Sequence, residues 1–347
     1  MRSPAMDKQF NHIVISSKNL IQKGLFYAGY KAIILMYHRV SNFKPGHEGA
    51  SFETGVTAEK FELHMKYLKD EMTPIPLDDM VVYLKNGKRL PKKAVSITFD
   101  DGYADNYLNA YPSLKKYGIP ATIFIVSGAM DSGEIFWWDK ISEILKMTKK
   151  DSLKIDFLND YIPEKISASQ HEIPLQNSSE KDHAQNILCS WFNKIKPSHI
   201  NRMVDEIQRR LEVPSIAIES DRHRILSPQE LKEMAENGIS YGAHTMTHLN
   251  LATSPISDAE REIRESKKWL EELLGKTVNS FAYPYGKPEH FNNDVVKIVS
   301  DCGFQAAYTA IPGVVSHRSH MYEMCRVGMG NQSLPDMITH INKWLYI

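Results

Sequence analysis

Short unbroken apolar runs alternate along this chain with stretches whose apolar residues recur at helical spacing. Residues 32–37 (AIILMY), 94–99 (AVSITF) and 121–126 (ATIFIV) are continuous apolar blocks of strand length, the pattern of buried strands. Between them, 57–71 (TAEKFELHMKYLKDE) carries a helical stripe behind Thr57, a capping residue. Residues 104–117 read as a helix stopped by Gly118 and Pro120. The same rhythm returns after residue 225. Ser227-Pro228-Gln229-Glu230 has the form of a capping box and opens a helix that ends at Gly238, followed by a short strand over 239–243. Ser257 to Glu260 opens a second capped helix running to about Gly275. A strand over 278–283, a helix over 292–301, a strand over 304–309 and a helix over 334–345 complete the chain. Strand, helix, strand at this spacing predicts an α/β fold with a parallel sheet, and the units suffice for a barrel of about seven or eight strands.

Residues 140–225 break the pattern. They are rich in Lys, Asp, Glu, Ser and Asn, show no strand rhythm, and look helical over much of 180–197 and over 198–212. They read as a helical insertion, either a wall facing a substrate or a solvated subdomain remote from one. An apolar content of 42% and a charged content of 24% are those of a globular chain, so disorder is not its dominant state. Basic and acidic residues both number 42, which removes the basic excess expected of a nucleic-acid binder. Cys189, Cys302 and Cys325 have no C-x-x-C spacing, and read as free thiols of a reducing compartment. Ser16 to Asn19, Lys23 and Lys31 interrupt the apolar residues near the N-terminus, so no export signal is visible, and no run reaches the ~18 residues of a membrane span. A cytoplasmic protein is expected, with residues 1–30 as an N-terminal extension. Residues 13–30 have the pattern of a short amphipathic helix, which suits packing on its own domain or a peripheral contact with a membrane surface.

Three constellations follow apolar strands directly, where active sites of parallel α/β folds gather. The first is Thr98-Phe99-Asp100-Asp101-Gly102-Tyr103. Adjacent carboxylates are costly unless neutralised. A metal ion bound by one of them would do so and leave the other to take a proton; a helix-capping turn would explain the same residues. The second is His244-Thr245-Met246-Thr247-His248. Two histidines four apart on one face of a helical turn can share a metal, with the Thr245 and Thr247 hydroxyls holding the rings through nearby backbone. The third is Phe281-Ala282-Tyr283-Pro284-Tyr285-Gly286, a tight turn able to aim a backbone N–H at an oxyanion.

Together the three resemble carbohydrate esterase family 4, the polysaccharide deacetylases related to chitooligosaccharide and poly-N-acetylglucosamine deacetylases. The family's T-F-D-D-G is matched at Thr98 to Gly102, its H-[ST]-x-[ST]-H at His244 to His248, and its P-Y-G at Pro284 to Gly286. The resemblance covers roughly residues 30–330. It implies a distorted (β/α) barrel of about seven strands over 31–330, with the helical insertion at about 140–225 and a C-terminal helix over 331–347. It implies Asp100 as general base, Asp101, His244 and His248 as metal ligands, the Tyr285 N–H as oxyanion donor, and Zn2+ as the metal, with Co2+ or Ni2+ as alternatives. The implied reaction is removal of an N-acetyl group from a sugar. Removal of a formyl or other small acyl group, and a non-catalytic carbohydrate-binding relative, are the rival readings.

The chain departs from the pattern twice. The third motif usually begins with an arginine that holds the base, and here that position is Ala282; Arg326, on a late strand, is the substitute expected. The C-terminal L-x-H that supplies the family's acid has no clean match. Met36-Tyr37-His38 resembles the Tyr-His segment that poly-N-acetylglucosamine deacetylases carry near their N-terminal end, which makes His38 the expected acid, with His317 or His320 next in line. In Phe136-Trp137-Trp138-Asp139, Trp138 could stack on a sugar and Asp139 could bond a hydroxyl or orient a catalytic group. An apolar anchor for the insertion would explain the same residues.

Overall fold

The computed structural model describes residues 24, 30–41, 55–133, 135–159, 161, 172–214 and 223–345. Six parallel strands run side by side: β1 (Lys31–Tyr37), β2 (Ala94–Phe99), β3 (Ala121–Ile125), β4 (Ile239–Ala243), β5 (Ser280–Ala282) and β6 (Ala306–Tyr308). Each neighbours the next in the chain, with pairs such as Tyr37↔Phe99, Phe99↔Ile123 and Ile125↔Ala243. A seventh strand, β7 (Val327–Gly328), pairs parallel with β1 at Leu35↔Val327. Just before it, Met324 bridges to Tyr308 of β6 and its carbonyl accepts from the Thr309 N–H at 2.9 Å. Residues 324–328 therefore touch both edges of the curled sheet. Every residue of β2 and β3 is buried, as their continuous apolar runs require.

The helices of the first half are α1 (Ala58–Glu71), α2 (Leu77–Lys85), α3 (Tyr111–Tyr117), α4 (Ser127–Ser132) and α5 (Trp137–Met147). Those that follow are α6 (Ser178–Phe192), α7 (Pro197–Arg210), α8 (Pro228–Glu236), α9 (Ile256–Leu274), α10 (Asn293–Asp301) and α11 (Leu334–Leu345). The caps read at Thr57 and Ser227 form, the second as a complete capping box with Glu230. Ser257 is not a cap. It lies inside α9, whose N-cap is Pro255 with no side-chain bond, because Pro255 already fixes the extended entry that a cap needs. Residues 106–110 are π-helical before α3, where one plain helix was expected. The short helices α2 and α4 were not expected, although α2 buries Leu77, Met80, Val81 and Leu84 at helical spacing.

The insertion has its own core. Ile144, Leu188, Phe192, Val204 and Ile207 from α5, α6 and α7 pack together, separately from the barrel core. It also holds a two-stranded antiparallel ladder, Ser152–Lys154 against Glu172–Pro174, in a stretch without strand rhythm. The amphipathic pattern at 13–30 falls almost wholly outside the described residues. No helix among the described residues is long and apolar enough to cross a membrane.

Candidate metal centre

The three constellations meet at the C-terminal ends of β1, β2, β4 and β5. A cleft there is lined by His38, Arg39, Asp100, Asp101, Tyr103 and both histidines of the second motif, with Tyr285 beside them. Its far wall is Trp137, Trp138, Cys189 and Asn193, so the insertion faces the cleft.

Asp101, His244 and His248 are buried and offer one atom each within 4.8 Å of one another. Asp101 Oδ1 lies 3.6 Å from His244 Nε2 and 3.5 Å from His248 Nε2. The His244 Nδ1–H donates to the Ala282 carbonyl at 2.7 Å, which leaves Nε2 with its lone pair toward the cleft. Burial holds His244 down to about 4 and His248 well below its usual value, so both rings are neutral, as metal ligation requires. Asp101 moves the opposite way: burial and the nearby Asp100 push its carboxyl well above the usual range. Its Oδ1 and His248 Nδ1 are buried without a hydrogen-bond partner. A cation between the three groups would satisfy Asp101 and match the donor set, two imidazoles and one carboxylate. The residues fit a divalent metal.

The ligand loop is not the helical turn that the spacing suggested. Residues 244–248 form an irregular loop in which Thr245 and His248 take left-handed φ of 65° and 58°. Its support comes from two helices: the Ser127 and Gly128 N–H groups of α4 donate to the Thr245 and Met246 carbonyls at 3.1 and 2.8 Å, and α9 brings Glu262. Glu262 accepts the N–H of Met246 at 2.9 Å and of Thr247 at 2.8 Å, and the Thr247 hydroxyl at 2.9 Å. Thr247 thus bonds a side chain rather than backbone, and the Thr245 hydroxyl is buried with no partner. Glu262 carried a signal that went unread: it is an acidic residue on the buried stripe Ala259, Ile263, Ser266, Leu270 of an amphipathic helix.

Asp100 is held by a fork. Arg326 Nη1 and Nη2 donate to its two oxygens at 2.6 and 2.7 Å, while Arg326 Nε donates to the Thr309 carbonyl at 2.9 Å. Burial works to raise the Asp100 pKa, but Arg326 and the histidines outweigh it and hold the carboxyl at about 2. The arginine missing at 282 is thus supplied from residue 326, beside β7. His38 is half-buried in the cleft, its imidazole pushed below the usual value by burial against the pull of Asp100. His317 and His320 are exposed and do not line the cleft; His317 instead borders a separate depression with Tyr30 and Arg89, near the start of β1.

Tyr285 takes φ 61° and Gly286 φ 60°, and a Cβ on Gly286 would meet Ala310 N at 2.4 Å, so the turn needs glycine there. The Tyr285 ring meets His248 edge-on at 4.6 Å. Pro284 does not line the cleft; its carbonyl accepts from Gly286 N–H at 2.7 Å within the turn. Trp138 lines the cleft, stacks on Phe136 and meets His248 edge-on at 4.8 Å. Asp139 does not reach substrate space. It is fully buried and takes the Tyr103 hydroxyl at 2.7 Å. Sequence reading missed Arg39 and Asp105, a buried pair at 2.8 Å, and His223, which contacts Asp139. No local motif marks these residues, because their partners are far away in sequence.

Residues 87–155 and 190–307 match the polysaccharide deacetylase family. YxkH of Bacillus subtilis (strain 168), whose name marks it as an inferred polysaccharide deacetylase, is 26% identical over 86% of this chain and 71% of its own. The poly-beta-1,6-N-acetyl-D-glucosamine N-deacetylase of Staphylococcus epidermidis is 28% identical over 69% of this chain and 80% of its own. Among solved structures, the Streptococcus pyogenes deacetylase PplD, in complex with acetate, shares the fold at a TM-score of 0.59 with 20% identity, covering 89% of this chain and 97% of its own. With more than half of its length matched and all three motifs converging on one cleft, the chain belongs to the polysaccharide deacetylase family.

Proposed function

We propose that this chain is a metal-dependent hydrolase that removes N-acetyl groups from amino sugars of a glycan. The observation that carries the reading is one carboxylate and two neutral imidazoles within 4.8 Å, beside a second carboxylate fixed by arginine. Asp101, His244 and His248 would hold the ion, and zinc suits this set, with cobalt or nickel as alternatives. When bound, the ion supplies a Lewis acid for the amide carbonyl and makes water more acidic. Asp100, kept ionised by Arg326, accepts the proton of the attacking water. The Tyr285 N–H donates to the developing oxyanion. His38 passes a proton to the departing amine, and the Trp138 wall closes the far side of the cleft against bulk water.

The name of the S. epidermidis relative makes poly-β-1,6-N-acetylglucosamine the first glycan to test. The expected result is acetate release that stops in excess chelator and returns with zinc. Asp101→Ala, His244→Ala or His248→Ala should each lower bound zinc and abolish turnover. Full turnover in chelator, with no metal found by elemental analysis, would refute the reading.

One observation favours a second assignment of the proton carriers. A carboxylate held at about 2 and bonded through both oxygens to Arg326 is a weak base, whereas His38, whose imidazole burial pushes below the usual value, lines the same cleft as a neutral ring. In that version His38 takes the proton from water and returns it to the amine, and Asp100 only orients the water. His38→Ala separates the two versions. A pure acid role slows amides by ~10²–10⁴ and esters, with their better leaving groups, much less; a shared base and acid role slows both alike.

A further inference from the structure

Asp139, Glu143 and His223 form a cluster of titratable groups that the proposed reaction does not use. Asp139 and Glu143 stand four residues apart on one face of α5. The buried ring of His223 lies between them, Nδ1 3.4 Å from Asp139 Oδ1 and Nε2 2.9 Å from Glu143 Oε1. Two carboxylates facing the two ring nitrogens call for two N–H donors, which only the imidazolium possesses. His223 also begins a segment laced to the residues after Asp101. Ala104 N–H donates to the Arg224 carbonyl at 2.8 Å, Leu226 N–H to the Gly102 carbonyl at 2.9 Å, and Tyr103 and Ile225 form an antiparallel bridge. The second oxygen of Asp139 takes the Tyr103 hydroxyl, to which the Trp138 indole N–H donates at 2.8 Å. A charge contact from His223 to Asp139, followed by the hydrogen bonds Asp139–Tyr103 and Tyr103–Trp138, thus links His223 to the aromatic wall of the cleft.

We infer that His223, as an imidazolium, is a positioning residue that clips the first helix of the insertion to the loop behind Asp100 and Asp101, and so sets where Trp138 and Tyr103 meet the substrate. The inference rests on the deacetylase reading only for the meaning of its kinetic test. The other charges around the clip come from several elements. Lys146 on α5 lies 3.1 Å from Glu143; Arg39 lies 3.9 Å from Asp139 and is paired with Asp105; Arg224 turns away to Glu230. Burial opposes the charge on His223, but Asp139 and Glu143 outweigh it and raise the pKa of the ring. The clip is therefore present below that raised pKa and is released as pH rises through it.

His223→Gln keeps one donor and loses the charge. It should raise KM for the N-acetylated glycan about tenfold, with kcat and bound metal near the native values. Native KM should climb with pH on the alkaline side, KM of the variant should be flat, and His223→Lys should recover part of the loss. Tryptophan emission gives a readout independent of turnover: an alkaline transition in the native protein, absent in both His223→Gln and Trp138→Phe. A chain that released no acetate but kept that transition would defeat the deacetylase reading and leave the clip standing. An unchanged KM profile and emission titration in His223→Gln would overturn the clip. So would equal losses of kcat, metal and thermal stability, the mark of a merely structural residue.

Discussion

At the scale of single residues, the pair formed by Arg326 and Asp100 has two separable consequences. Both groups are buried, so removing one leaves the other charged and uncompensated. Arg326→Met should cost about 3–5 kcal/mol of stability, measured by denaturant unfolding. It should also free Asp100 to follow its burial, so its pKa rises and the acid limb of kcat/KM moves to higher pH. An unmoved acid limb would show that Asp100 does not set it. The sign for stability follows from the depressed pKa. The pair stabilises the fold above the ordinary carboxylate value near 3.8, and that contribution disappears as pH falls through about 2. These residues differed in how far the sequence revealed them. Asp100, Asp101, His244 and His248 stand in motifs short enough to read. The missing arginine at Ala282 pointed to a cation elsewhere, which turned attention to Arg326. Asp139 stood in a visible motif but its burial did not, and nothing local announced that His223 would reach it.

At the scale of elements, the ligand loop depends on a helix that contributes nothing to the cleft lining. Residues 244–248 have two left-handed positions and no repeating hydrogen bonds of their own, and Glu262 supplies three. Glu262→Ala should weaken zinc binding by about 10–100-fold, as loss of a support behind a ligand does, while leaving α9 helical. Isothermal titration of the metal-free protein with zinc would measure it, and native affinity would show that the backbone bonds from α4 suffice to hold the loop. The strands of the barrel were legible because continuous apolar runs have few alternatives at their length. The loop was not. Spacing of four fits a helical turn, and only distant partners, Glu262 on α9 and the Ser127 and Gly128 N–H groups of α4, select the irregular form. The ladder at 152–154 and 172–174 escaped for a similar reason, since three-residue strands are too short to show alternation.

At the scale of the whole molecule, two cores sit side by side, and the seam between them holds the chemistry. The barrel brings the proposed metal ligands and Asp100, and the insertion brings Trp137, Trp138, Cys189 and Asn193. The barrel itself is joined at residues 324–328, which pair with β1 on one side and β6 on the other. A chain ended at residue 323 would keep the pairing of Val315–Ser316 with the start of β1 and the Met321 bond to Ala307. It would lose the Met324 bonds to β6 and open the edge of β1 beyond Ala32, a template for pairing with other chains. Such a chain should elute as aggregates in size-exclusion chromatography, and a clean monomer would show that the edges are otherwise protected.

The position of that closing segment also sets a timetable for synthesis. Asp100 and Arg326 are 226 residues apart in sequence. A ribosome adding about 5–20 residues per second needs on the order of 10–45 s to cover that interval. Throughout it, the nascent β2 carries a carboxylate destined for burial and has no counter-charge to bury it with. The Asp100–Arg326 pair is thus assembled last, after the insertion has emerged and had time to collapse on its own core.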